Sequence, residues 1–176
     1  MELWSAGHSN RSSAELCALL AGAGVAGVAD LRRYPVSRRF PQHSRDRLEA
    51  SLAAAGIHYA FLGDALGGRR EATLPLERSA NRALGDPALR AFADALYGAE
   101  AMAGLERLEA LGRAERTAFL CAERDWRDCH RRIVADALAA RGWRIVHLLR
   151  PGESEPHALD PRARVEAGRV SYPTLL

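Results

Sequence analysis

A chain of 176 residues, 48% hydrophobic and 27% charged, has the size and balance that bury a core without metal or disulfide staples. It holds no apolar run near the roughly 18 residues that a membrane helix needs, and MELWSAGHSN lacks the basic and apolar regions of a signal peptide, so a cytoplasmic protein with no membrane partner is expected. All 25 basic residues are arginine, yet the net charge is only +3: every cation is a planar fork suited to carboxylates and phosphates, while bulk charge does not argue for nucleic acid.

In chain order, strands and helices alternate. Leu3 to Ala6 is a short apolar run that ends in Gly7-His8-Ser9-Asn10. Ser12 or Ser13 caps a helix carrying Leu16, Leu19 and Leu20, closed by Gly22 or Gly24. Val25 to Leu31 is a second strand. Ser44 caps a helix through Leu48, Leu52 and Ala55, and Gly56 ends it. Ile57 to Leu62 is a third strand, followed by Gly63 and Gly67-Gly68-Arg69-Arg70. Glu71 to Gly85 has no clean period and reads as loop or irregular helix. Asp86-Pro87 opens a helix through Leu89, Phe92 and Leu96, and another covers Met102 to Leu111. Thr117 to Ala122 is a continuous apolar run, typical of a buried parallel strand. A helix runs from about Cys129 to Ala140, Gly142 ends it, and Ile145 to Leu149 is the fifth strand. The tail after Pro151 reads as loop with one short helix or strand.

This alternation predicts one three-layer α/β/α domain over residues 1–176, with a mostly parallel sheet of about five strands, Rossmann-like or flavodoxin-like. The strand order stays open. In such sheets ligands bind outside the carboxyl ends of the strands. Those ends read GHSN, DLRRYPVSRR, GDALGGRR, CAERDWRDCHR and RPGESEPH, rich in ionisable groups and mostly in Arg. The opposite ends, AGAGVAG, AAAGIH, GRAERT and ARGW, are turn-like and poorer in such groups. Arginine merely solvating loops is the bland alternative.

The segment after the fourth strand concentrates the chemistry. Cys121 sits where strand meets loop, Glu123 follows, Asp125 or Asp128 can cap the next helix, and Cys129, His130 and Arg131 fall in its first turn. A thiol at a helix N-terminus beside Arg is a candidate nucleophile with a histidine as base, against the alternative that each Cys is a small core hydrophobe. With Cys17 the cysteines number three, which does not read as a disulfide framework in the cytosol. Cys121 and Arg127 fit a Cys-x5-Arg phosphatase spacing, but the loop between them has no Gly and contains two acids. Cys121, Glu123, Cys129 and His130, with His8 and His157, include the ligand types of zinc or iron, without any Cys-x2-Cys or His-x3-His pair.

Asp30 to Arg47 interleaves Arg32, Arg33, Arg38, Arg39, Arg45 and Arg47 with Tyr34, Phe40 and His43, a composition suited to nucleotides or single strands or, equally, to a solvated loop. Pro35 and Pro41 stiffen that loop. Gly67-Gly68-Arg69-Arg70 permits close approach of backbone N–H groups to an anion, but there is no Walker loop, no Gly-x-Gly-x-x-Gly and no Gly-x-Ser-x-Gly elbow.

The segments GHSNRS (7–12), DLRRYPVSRRFPQ (30–42), LGGRR (66–70), CAERDWRDCHRRIVADAL (121–138) and HALDPRARVEAGRVSYP (157–173) resemble, in order, the bacterial and archaeal domain-of-unknown-function family 488. The resemblance puts weight on His8, Ser9, Asp30, Arg32, Pro35, Ser37, Gly67, Gly68, Cys121, Glu123, Cys129, His130 and Arg131, and implies a fold and a site location, not a reaction. Arg127 lies outside that pattern.

Three functions are expected from these readings. The first is an enzyme for a phosphate-bearing or other anionic substrate, a nucleotide or nucleic-acid component among them. Arg32, Arg39 and Arg70 would clamp the anion, with His8, Ser9, Ser37, Gly67, Gly68 and Arg131 lining the site. Cys121, Glu123, Cys129 and His130 would react, with Asp30 orienting one of them. The second is a non-catalytic nucleotide or nucleic-acid binder. The third is a Cys/His metalloprotein holding zinc or iron.

Overall fold

The computed structural model describes residues 1–174. Its elements are β1 (Glu2–Gly7), α1 (Ser13–Gly22), β2 (Gly27–Asp30), α2 (Arg45–Ala54), β3 (His58–Phe61), α3 (Gly63–Leu66), α4 (Pro87–Ala95), α5 (Ala99–Ala114), β4 (Thr117–Cys121), α6 (Arg131–Ala140), β5 (Arg144–Arg150), β6 (Glu153–Pro156), β7 (Arg164–Glu166) and β8 (Arg169–Ser171). Local chemistry explains several boundaries. Ser12 and Glu15 form a reciprocal capping box at α1, and the Asp86 carboxylate accepts from the N–H groups of Ala88 and Leu89 at α4, where Pro87 has no N–H to lose.

The main sheet has the order β3-β2-β4-β1-β5-β6. Its first five strands are parallel, and β6 adds to β5 in antiparallel sense. Side chains alternate across it. Phe119 of β4 joins the core formed with α3, α4, α5 and α6, whereas Ala118 and Leu120 join the core formed with α1 and α2. The result is a three-layer α/β/α architecture in which β4 is buried along its whole length, as its unbroken apolar run requires. No helix among the described residues is long and apolar enough to cross a membrane.

The sequence allowed one short final helix or strand after Pro151, whereas the described residues of the tail hold three strands. Strand β6, ESEP, is largely exposed and polar, so it carries no hydrophobic period. Strands β7 and β8 form a hairpin over Ala167 and Gly168, both at positive φ. The region 71–85 is loop with a single 3-10 turn at Leu76–Arg78. Helix α6 starts at Arg131, two residues later than expected. Trp126–Asp128 makes a 3-10 turn first, and Cys129 is extended at φ −139°, ψ 167°.

The parallel strands run 3-2-4-1-5, an order different from the 3-2-1-4-5 and 2-1-3-4-5 arrangements of the common doubly wound folds. What it shares with them is a switch point. The chain leaves β1 and β2 toward α1 and α2 on one face, and leaves β4 toward α6 on the other. Because β4 lies between β2 and β1, its outgoing loop diverges from those of both neighbours, and a crevice opens at their carboxyl ends.

Candidate functional site

A cavity of about 690 Å³ occupies that crevice, within the usual size of small-molecule sites. It is walled by His8 and Ser9 after β1, by the loop Arg32 to Phe40 after β2, by Gly68 and Arg69, by Cys121 to Glu123 and Asp128 to His130 after β4, and by the start of α4.

The β4 side holds the thiols, a carboxylate and an imidazole. Cys121 donates its thiol hydrogen to Glu123 Oε2 at 2.8 Å, and its Sγ lies 3.8 Å from His130 Nδ1. Burial opposes ionisation of Glu123, but the thiol, its own backbone N–H, His130 and Arg131 outweigh that and hold its carboxyl below the usual range. Cys129 is only 4% exposed, and burial pushes its thiol well above the ordinary value, reinforced by Cys121. Its Sγ nevertheless accepts two N–H groups of Arg131, the backbone N–H and Nε–H, each at 3.3 Å. The expected placement of Cys129 inside the first helical turn is thereby corrected. It precedes α6 and caps it through sulfur.

Two glycines allow this loop to close. A Cβ on Gly7 would sit 1.8 Å from the Glu123 carbonyl oxygen, and one on Gly68 would sit 2.3 Å from His130 Nδ1. Gly68 thus lays bare backbone against the imidazole, and Phe92 meets the same ring edge-on at a centroid distance of 5.1 Å. Ser9 adopts φ +48°, a left-handed conformation that costs about 1 kcal/mol for a non-glycine residue. Its N–H is held by the Ala122 carbonyl at 2.8 Å, so the two loops fix one another.

Opposite stand the arginines, in two classes. Arg32 is 6% exposed and its fork is taken up by protein: Nε and Nη2 grip Asp30 at 2.9 and 2.6 Å, and Nη1 reaches the His43 carbonyl at 2.6 Å and His8 Nε2 at 3.2 Å. Tyr59 completes the Asp30 shell at 2.9 Å, and the carboxylate pushes its hydroxyl upward in addition to the effect of burial. His8 donates Nδ1–H to the Ser9 carbonyl, which leaves Nε2 as acceptor for Arg32. Burial, then Arg32 and then His43 lower its pKa to about 4, so it is a neutral imidazole. Arg39 and Arg69 belong to the second class: both are exposed on the cavity wall, with Arg39 lying 5.2 Å from the Phe40 ring centre.

Of the residues expected at the site, His8, Ser9, Arg32, Ser37, Arg39, Gly68, Cys121, Glu123, Cys129 and His130 border the cavity. Asp30, Gly67, Arg70 and Arg131 do not. Asp30 is spent on Arg32. Gly67 packs against the Gly63 carbonyl and Arg33. Arg70 donates to the carbonyls of Gly67, Asp64 and Ala65, capping α3 rather than facing an anion. Arg131 binds the carbonyls of Glu123 and Arg124 together with Ser5 Oγ and thus braces the loop after β4 from beneath. His157 is far from His8 in role: its ring joins His147 of β5 at 3.0 Å and Asp136 of α6 at 2.9 Å, a network away from the cavity. Arg127 pairs with Asp125 and Glu155, which removes it as the clamp of a phosphatase-like loop. The sequence missed the cavity wall supplied by Ala88 and Leu89. The Asp-Pro cap marks where that helix begins but carries no signal of where it lands.

Three ligand atoms of the β4 side, from Cys121, Cys129 and His130, lie within 4.8 Å of one another. No curated protein and no solved structure matches the chain. A family model described as Domain of unknown function DUF488 matches residues 12–138, which span β2, β3, β4 and most of the cavity wall. The chain therefore belongs to the family Domain of unknown function DUF488.

Proposed function

We propose that the cavity is the active site of an enzyme that holds a phosphate-bearing or other anionic substrate against the Cys121–Glu123–Cys129–His130 cluster. One observation carries the reading: a single crevice is bordered on one side by a thiol hydrogen-bonded to a carboxylate and on the other by the exposed cations Arg39 and Arg69. Arg39 and Arg69 receive the anion, since Arg32, Arg33 and Arg70 are committed to protein acceptors. Glu123, ionised, accepts the proton that Cys121 gives up, and His130 lies where it can stabilise the sulfur. A pocket with few convergent polar groups and a perturbed carboxyl is the usual signature of such a site.

Calorimetry with inorganic phosphate and with nucleoside mono-, di- and triphosphates tests the binding half. Arg39→Ala/Arg69→Ala should weaken binding roughly tenfold or more, the loss expected for charge-assisted hydrogen bonds. Failure of every anion to bind at low salt would sink the reading. Glu123→Gln should retain binding and lose turnover. If the parent protein binds such anions and turns none of them over, the second reading stands: a non-catalytic nucleotide or nucleic-acid binder, favoured by exposed Tyr34 (67%) and half-buried Phe40 beside Arg39 as stacking surfaces.

A further inference from the structure

We infer that Cys121, Cys129 and His130 form a binding site for one zinc(II) ion whose remaining coordination position faces the anion cavity. The inference concerns the site proposed above, but it rests on the β4 loop alone and needs no substrate.

The spacing is the first support. A tetrahedral zinc with bonds of about 2.3 Å to sulfur and about 2.0 Å to nitrogen separates its ligand atoms by roughly 3.5–3.8 Å. Cys121 Sγ and His130 Nδ1 are 3.8 Å apart, and Cys129 Sγ completes a triangle with no side beyond 4.8 Å. Two thiolates and one imidazole, with one position left over, is a known ligand set of catalytic zinc. All three residues border the cavity, so the ion has an entry path.

The second support is the surroundings. Arg131 is 1% exposed, and among the described residues its guanidinium reaches two carbonyls, a serine hydroxyl and Cys129 Sγ, but no carboxylate. Ionised Glu123 lies near enough to feel its charge, but among the described residues no anion directly accepts this buried cation's N–H groups. A thiolate at Cys129 would supply that directly bonded anion, and the two N–H groups already aimed at that sulfur are the donors that a metal thiolate takes in its outer shell. The third support is preorganisation. Gly68 backbone and the Phe92 edge fix the His130 ring with Nδ1 toward the sulfurs, so the ligand need not be ordered on binding. Zinc uptake balances as the loss of one proton from each thiol, with two Zn–S bonds and one Zn–N bond formed. Glu123 accepts the Cys121 hydrogen in the metal-free arrangement and is thereby placed to take that proton.

The test uses untagged full-length protein, stripped with chelator and kept reduced. Zinc(II) titrated against a chromophoric chelator should bind at one equivalent with release of protons and a rise in melting temperature. Cobalt(II) in its place should give the visible bands of a tetrahedral site with sulfur-to-metal charge transfer. Cys121→Ser and Cys129→Ser should each lose the charge-transfer intensity and the stoichiometric uptake. Should Cys129→Ser fail to fold, Cys121→Ser and His130→Gln decide the matter. Absence of zinc uptake by reduced, folded protein, or uptake unchanged in the folded cysteine variants, would overturn the inference. Phosphate binding at Arg39 and Arg69 is read separately, so failure of one proposal leaves the other measurable.

Discussion

Two histidine-and-acid clusters lie beside β4 and β5, on either side of β1 in the sheet order, and they differ in one respect. At the end of β4, Cys121, Glu123 and His130 border an open crevice. Beside it, His147 of β5, His157 after β6, Asp136 of α6 and Tyr172 after β8 form a chain of hydrogen bonds at 3.0, 2.9 and 2.6 Å, with Trp126 stacked on His147 at 4.0 Å and 8°. The second is the better connected, yet its side chains are buried on all sides and the cavity does not touch it. Connected polar networks without access specify a fold, even though His147 Nδ1 here is left without a partner among the described residues, whereas groups that border space can act on something that enters.

Acid should separate the two regions most strongly. A histidine of the unfolded chain takes up its proton near pH 6.5, but folded His8 waits until about 4 and His147 until about 2, each lowered first by burial and then by neighbouring positive groups. The unfolded state therefore binds more protons below pH 6.5, and stability falls with pH. The His8 contribution, roughly 3 kcal/mol, should be lost between about pH 6.5 and 4, whereas the His147 loss continues below that. Urea titrations from pH 7 to 3 should show a flatter upper segment in His8→Asn and a persistent lower slope. Parallel curves for parent and variant would deny that the imidazoles are buried neutral.

Asp136→Asn should cost about 3 kcal/mol, because Tyr172, His157 and the Asp160 N–H all share that one carboxylate. Glu123→Gln should stay within about 1 kcal/mol of the parent in the same measurement, since Glu123 stands at the cavity mouth. Equal losses would erase the distinction between a sealed cluster and an open one. Gly68→Ala forces the His130 ring to move and should cost roughly 1–3 kcal/mol. Its sharper readout is a change in the cobalt spectrum. An unchanged spectrum would show that His130 is not held by that contact.

Much of this was legible before any fold. The apolar run of β4, the Ser12 cap and the Asp86-Pro87 helix start are local signals, and local sterics and hydrogen bonding enforce them. The strand-end residues could be named as site candidates because a parallel sheet places every strand's carboxyl end on one side. Sorting those candidates was beyond a linear reading. Arg32, Arg39 and Arg70 look alike as arginines; one is locked by Asp30, one caps α3 and one is exposed on the cavity wall.

By itself, the sequence determined the layers, the strand count up to the polar β6 and hairpin, and the sheet edge where ionisable side chains collect. Those follow from periodicity and chirality, which act over a few residues. Tertiary structure alone decided the order β3-β2-β4-β1-β5-β6, and with it which loops flank β4. It also decided that Gly68 meets His130, that Cys129 receives both Arg131 donors, and that His157 closes on Asp136. The physical reason is range: each of those outcomes depends on which distant segment fills the space beside a side chain, and burial and hydrogen-bond partners do not exist until the layers have packed.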